Sequence, residues 1–333
     1  VNPCPSDGCS YSGFDGINGV VDSWSGGTFA TGLGPLGTYV VFGGGHNSYY
    51  GNELYGFDLS TRLWRRITEP VVNPSCNQST GTLQGGGPCS PHSYSYLNYH
   101  PATNSFVELA SASNHDMGGG GAPRVMMFDF DTGVWSRRAS KPTFVSGTGA
   151  STAFDPSRGS SGIFWYVGSF GIRFASYDPA LDRWSEYSQI AIDIDTQSAI
   201  DPVRDLLVVL DARGSNSVLA FDLTQPNAQP VSLTLQGGGP VLNAYAPGFQ
   251  YHPPSGSFVA WIGGKNVWRL RPPLGAWRTQ PWVWEEVTVQ GAISPGNRAS
   301  SGTYNRWQWA PLIDSFVVIN SARGQVYAYR PNF

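Results

Sequence analysis

One recurring unit constrains this chain more than any other feature. "LYGFDLSTRLW" (54–64), "VMMFDFDTGVW" (125–135) and "FASYDPALDRW" (174–184) share an aromatic–Asp pair that is followed by a turn and a Trp. Weaker copies are "VLAFDLTQPNAQPVSL" (218–233), "VWRLRPPLGAW" (267–277) and "VYAYRP" (326–331). Each copy follows a β-rich run such as "TYVVFGGG", "IFWYVGS", "LLVVLDA" or "SFVVINS". Five of those runs are preceded by another segment that ends in a turn: "SYLNYHPATN", "STAFDPSRG", "QSAIDPVRD", "GFQYHPPSG" and "RWQWAPLID". The period is roughly 40–50 residues with four strand signals, the pattern of propeller blades, each unable to bury its faces without its neighbours. The sequence therefore predicts one all-β propeller over residues 1–333. Its six blades fall near 23–70, 91–140, 148–188, 196–236, 246–290 and 302–333. The last copy stops after its third strand, so a strand from the N-terminal segment around "GINGVVDSW" is expected to close the ring. A degenerate copy within 10–35 would make the blades seven.

Composition agrees with many short strands and few helices: 42 Gly, 25 Pro and 14% aromatic residues in 333. Net charge is −3 and charged residues make up 13% of the chain, which leaves no basic stripe for nucleic acid. No apolar run approaches the roughly 18 residues of a membrane span. The four cysteines form two local pairs, Cys4/Cys9 and Cys76/Cys89, without zinc-site partners. Disulfides Cys4–Cys9 and Cys76–Cys89 are expected, and with them a secreted, extracellular or periplasmic protein; free buried thiols are the alternative. The opening at Val1 lacks a signal-peptide pattern, so a processed form is expected. Asn77 heads the one Asn-x-Ser/Thr sequon.

Strand register sorts the five histidines between the two faces of such a ring. His100 in "NYHPATN" and His252 in "QYHPPSG" take the place of Asp155 and Asp201 in other copies, where a side chain caps a turn. His46 follows the second strand of blade one, His92 is expected at the start of the first strand of blade two, and His115 at the end of its second. A turn over 102–105 would set His92 directly across from His115. These three are expected at one channel mouth, with Tyr49, Tyr50, Asn52, Tyr94, Asn114 and Asp116 nearby. Arg173, Arg298 and Arg306 are expected to approach the same mouth. The 71–90 loop, stapled by Cys76–Cys89, would wall a groove there.

The Gly doublet after strand two and the Asp…Trp turn between strands three and four resemble kelch repeats, over nearly the whole chain. His92, His115 and Arg173 together are similar to the ulvan-lyase propellers, which carry two His on one blade with an Arg and a Tyr on the next. That resemblance implies β-elimination on a uronate polysaccharide or oligosaccharide, with Arg173 and the imidazoles neutralising the carboxylate and moving protons. Blade three lacks the Tyr at this place, so Tyr94, Tyr49 or Tyr50 must substitute. His46, Tyr49, Tyr50, Asn52, Asn114, Asp116, Arg298 and Arg306 would bind substrate. Elimination requires no cofactor. A second reading is a metal-dependent hydrolase or oxidase, with Zn or another divalent ion on His46, His92 and His115. The copper oxidases among kelch propellers need a crosslinked Tyr–Cys pair, and Cys76 and Cys89 are committed elsewhere. A paired-carboxylate glycosidase would have Asp116 as its rim carboxylate, because Asp58, Asp129, Asp178 and Asp222 read as turn residues. The third reading is a carbohydrate- or protein-binding kelch propeller without chemistry. A monomer is expected, without nucleic-acid or membrane partners.

Overall fold

The structure, a computed structural model, describes residues 13–44, 47–71, 76–77, 82–83, 87–109, 124–140, 142, 149–168, 172–190, 192–289 and 293–333. Six antiparallel sheets follow one another along the chain as blades one to six. Their innermost strands are Gly27–Ala30, Leu97–His100, Ser151–Asp155, Gln197–Asp201, Gly248–His252 and Trp307–Ala310. Each inner strand lies against the next, and the last against the first, so the sheets close into a six-bladed propeller around a central channel. Blades one to four have four strands each. In blade five the short strand Leu235–Gln236 adds in parallel to the outer strand Trp282–Val287.

Blade six has three strands among the described residues. The residues expected to complete it form no strand: Gly16–Asn18 is a turn of 3-10 helix and Gly19–Asp22 a turn of α-helix. Burial explains this correction. Consecutive Val20 and Val21 are both enclosed, packing with Phe29, Tyr39 and Val41 of blade one and with Ala310, Val317 and Ile319 of blade six. A strand turns adjacent side chains to opposite faces, whereas this helical turn presents both valines to one seam. The Ser301 hydroxyl donates to the Asp22 carbonyl, and Ala322 N–H donates to Asp22 Oδ1 at 3.1 Å. The segment joins blades one and six as a wedge rather than as a rung.

The turns between first and second strands repeat one device. In blade two Pro101–Thr103 is a 3-10 turn and Asn104 takes φ +43°. Pro253–Ser255 with Gly256 and Pro311–Ile313 with Asp314 repeat it in blades five and six. A proline with fixed φ opens the turn, and a left-handed residue reverses the chain at its end. The turn spans 101–104, one position earlier than the sequence suggested, so Leu97 pairs with Glu108 and His100 with Ser105, a register two residues away from expectation. His92 lies ahead of the inner strand Leu97–His100. His115 itself is outside the described residues.

The aspartates of the repeat cap the opposite connections, between third and fourth strands. Asp58 Oδ1 accepts N–H bonds from Ser60 and Thr61 at 2.7 and 3.1 Å. Asp129 and Asp178 hold equivalent turns. The following Trp64, Trp135 and Trp184 are half-buried on the fourth strands. Trp135 also reaches Phe42 of blade one, tying neighbouring blades together.

Candidate functional site

Just before each inner strand the chain turns through the left-handed region. The residues are Trp24 (φ +48°), Tyr94 (+39°), Gly149 (+62°), Asp195 (+66°), Ala246 (+40°) and Tyr304 (+50°), one per blade. Five carry a Cβ, so each holds a conformation costing roughly 1–2 kcal/mol. Such strain persists where surrounding structure enforces it, and it concentrates at functional sites. The six positions ring the channel mouth at the loop face, opposite the proline turns.

Four of their side chains, Trp24, Tyr94, Asp195 and Tyr304, join one network with neighbouring residues. Tyr304 Oη donates to Asp195 Oδ1 at 2.7 Å, and Arg213 forms an ion pair with the other oxygen of Asp195. The Tyr245 and Tyr304 hydroxyls lie 3.3 Å apart, and Trp24 Nε1 donates to Tyr245 Oη at 2.9 Å. Tyr94 packs edge-on against Tyr304 with ring centroids 5.5 Å apart. The His92 ring stacks on Trp24 at 5.0 Å, and His92 Nδ1 is 3.4 Å from Tyr94 Oη. Arg298 lies over the Tyr245 ring, 5.9 Å from its centroid, with Arg213 also near that ring at 5.6 Å. The network joins blades one, two, four and six with the segments before blades five and six.

Burial and charge divide this group. Trp24 is 38% exposed, Tyr245 and Arg298 are half-buried and Arg213 is exposed. Beneath them His92, Tyr94, Asp195 and Tyr304 are buried. Burial raises the Tyr94 phenol well above its ordinary pKa, with a further push from the Asp195 charge. Burial and the same carboxylate also hold the Tyr304 phenol above its ordinary pKa. Both hydroxyls are therefore proton donors at neutral pH. Desolvation lowers the pKa of Arg298, and no carboxylate among the described residues lies within ion-pair distance of it. It remains a cation able to accept an anionic partner.

Several residues expected at the site have other duties. Arg306 is fully buried, donating to the carbonyls of Ser25 at 2.8 Å, Ile319 at 3.0 Å and Asn320 at 3.2 Å, and also to that of Gly302. It offers no face to a substrate and fastens blade six to the segment before blade one. Tyr49 is enclosed in the seam core and donates to Glu53, a carboxylic acid whose pKa is raised by burial. Asn52 is buried, and its Oδ1 accepts from Val71 N–H at 2.9 Å, anchoring the start of the disulfide loop. Tyr50 donates to Asn47 at 2.6 Å in the same loop region.

Cys76 and Cys89 are disulfide-bonded, with Cα atoms 5.7 Å apart. His46, Asn114, Asp116 and the Cys4/Cys9 pair lie, like His115, outside the described residues. Arg173 falls in the strand Ile172–Asp178, opposite Gln189, but its side chain is outside the described set. Among the described residues no group of three or more His, Cys, Asp or Glu side chains is placed to hold a metal ion. His100 and His252 end their inner strands at the other face, with their side chains bonded into the turns that follow. His100 Nδ1 is 2.7 Å from Thr103 Oγ1, and His252 Nδ1 is 2.7 Å from Ser255 Oγ.

Sequence reasoning reached His92, Tyr94 and Arg298 but missed Trp24, Asp195, Arg213, Tyr245 and Tyr304. Their common signal is an offset of two or three residues ahead of each inner strand. Residue type hides it, because only Gly149 advertises a left-handed backbone. The glycines after the second strand of blade one serve close packing. A Cβ on Gly43 would come within 2.9 Å of both the Pro91 carbonyl and Ser93 Oγ. That contact holds the segment carrying His92 against blade one.

No family model and no curated protein matches the chain. Among solved structures the chain is similar to TolB from Acinetobacter baumannii, with a TM-score of 0.47 and 12% identity. The match covers 87% of this chain and 60% of the TolB chain.

Proposed function

We propose that this propeller is a secreted or periplasmic carbohydrate-active protein that engages an acidic polysaccharide at the loop-face mouth and cleaves it by β-elimination. The observation that carries the reading is the group Trp24 and Tyr94, from the ring of left-handed residues, with His92, Tyr245 and Arg298 gathered beside them. The aromatic faces of Trp24 and Tyr245 suit sugar rings. Arg298 would neutralise the uronate carboxylate and so acidify the neighbouring C–H. His92 would take that proton as the C–H electron pair forms the C=C bond and the glycosidic C–O bond breaks. The departing oxygen would take a proton from Tyr94, and the proton on His92 would return to Tyr94 across their 3.4 Å contact. Protons balance over the cycle. The disulfide supports an oxidising compartment. His115 and Arg173 keep the roles that the lyase resemblance implies for them.

A specific observation favours a second reading. His92 and Tyr94 are 3% and 6% exposed, with Trp24 stacked on His92. Elimination requires Trp24 to swing aside, whereas binding an acidic glycan on Trp24, Tyr245, Arg213 and Arg298 requires no movement. Near-ultraviolet absorbance of unsaturated uronate product, followed on a panel of uronate polysaccharides, separates the two. For a lyase, Tyr94→Phe and His92→Ala should each lower kcat by about 10²–10⁴-fold while the melting temperature is retained. No absorbance gain on any polysaccharide, with calorimetric binding that Arg298→Ala abolishes, would replace the lyase by the binding propeller.

A further inference from the structure

The central channel is divided. Asn305 Nδ2 reaches across to the carbonyls of Ser95 at 3.1 Å and Leu97 at 3.3 Å, and Ser95 Oγ donates to Gln197 Oε1 at 2.6 Å. Asn305, Ser95 and Gln197 are all buried. They form a floor beneath the loop-face mouth. Beyond it a cavity of about 390 Å³ opens to the proline-turn face, within the roughly 300–1,000 Å³ of small-molecule sites.

We infer that this second cavity is a binding site for a short neutral oligosaccharide. Its lining contains no charged side chain. An ionic ligand would lose its hydration there without a counter-charge, which excludes the acidic chain proposed for the other face. The lining is also two-sided. Two residues before each turn-capping position stand Asn98, Gln250 and Gln308 in blades two, five and six, but Ala153 and Ala199 in blades three and four. Small side chains on one flank leave the volume, and amides on the other face it.

Those amides have capacity to spare. Asn98 Nδ2 is engaged by Tyr96 O and Thr152 Oγ1, which leaves Oδ1 facing the cavity. Gln308 Nε2 donates to Asn305 O at 3.1 Å, which leaves its Oε1. The Gln250 amide makes no hydrogen bond to the described residues, so both its donor and acceptor ends are open. A sugar hydroxyl donates and accepts at once, matching carboxamides that offer both functions. Phe29, Tyr99, Phe154, Tyr251 and Trp309 supply ring surface around the same opening, suited to the C–H faces of a pyranose. A purely apolar ligand would leave the amides buried and unpaired, at a cost it does not recover.

The test is calorimetric titration of the full chain with neutral gluco-, manno- and xylo-oligosaccharides. At least one series should bind. Gln250→Ala combined with Gln308→Ala should weaken it by about tenfold or more, from two lost hydrogen bonds. Ala199→Leu, which fills the open flank, should do the same, with thermal melting confirming that each variant is folded. Arg298→Ala should leave this binding unchanged. Failure of every neutral series to bind at millimolar concentration overturns the inference. So does binding that is insensitive to both cavity variants but lost in Arg298→Ala. Displacement of a bound sugar by uronate oligosaccharides would equally refute the neutral specificity, whatever the outcome at the loop-face mouth.

Discussion

His100 and His252 show how one residue type divides between duties according to where the fold puts it. His100 Nε2 is 2.9 Å from the Ser161 carbonyl, so the neutral Nε2–H tautomer donates there while Nδ1 accepts from Thr103. Burial pushes both imidazoles below their ordinary value of 6.5. Arg138 reinforces this at His100; at His252, Asp314 opposes it and Arg269 reinforces it. The unfolded chain therefore binds more protons than the folded one just below the ordinary value. Stability from these groups is present above 6.5 and declines as pH falls through it toward the folded pKa values. Denaturant midpoints measured from about pH 8 to pH 5 should fall with acid, and less so in a His100→Asn, His252→Asn variant. Equal slopes would show that carboxylates alone set the acid response. Arg306 is the opposite case, a charge legible in the sequence whose duty was not. Burial pushes its guanidinium pKa down to about 10, and backbone carbonyls hold it. Arg306→Lys cannot reproduce that fork and should cost about 3 kcal/mol in chemical denaturation.

At the level of turns and loops, the proline turns were visible because each uses chemistry that residue type announces: a fixed φ, then Asn, Asp or Gly. Their exact position was not, and the register of the strand after His92 depended on it. The ring of left-handed residues at the mouth is the reverse situation, enforced by packing upon aromatic residues that do not favour it. Gly149 occupies that ring in blade three, where an added Cβ would meet Asp195 N at 2.7 Å. Gly149→Ala should therefore destabilise by about 1–3 kcal/mol and disturb Asp195 with it, read as a lower melting temperature. The disulfide closes a loop of sequence separation 13. Cys76→Ser with Cys89→Ser should cost about 2–4 kcal/mol, checked by denaturation against the oxidised protein. A variant as stable as the wild type would show that Asn52 and its neighbours alone hold the loop.

For the molecule as a whole, six repeats with four strand signals dictated a closed ring, since no blade buries both faces alone. The repeat implied the blades, their order and the turn-capping aspartates, because period and turn chemistry are local properties written in consecutive residues. Closure was decided by tertiary packing. Val20 and Val21 turn helical since both must enter the seam between blades one and six, a demand that neither residue states by itself. The site followed the same rule. Trp24, Tyr94, Asp195 and Tyr304 are separated by most of the chain, and they converge because every inner strand starts at the same axis. The blocked channel rests on Asn305 and Gln197, whose partners are remote in sequence. Local pattern could thus name the architecture and the residue types available to a mouth. Which of them meet, and that the channel holds two unlike chambers, depends on distances across the ring that only the assembled propeller defines.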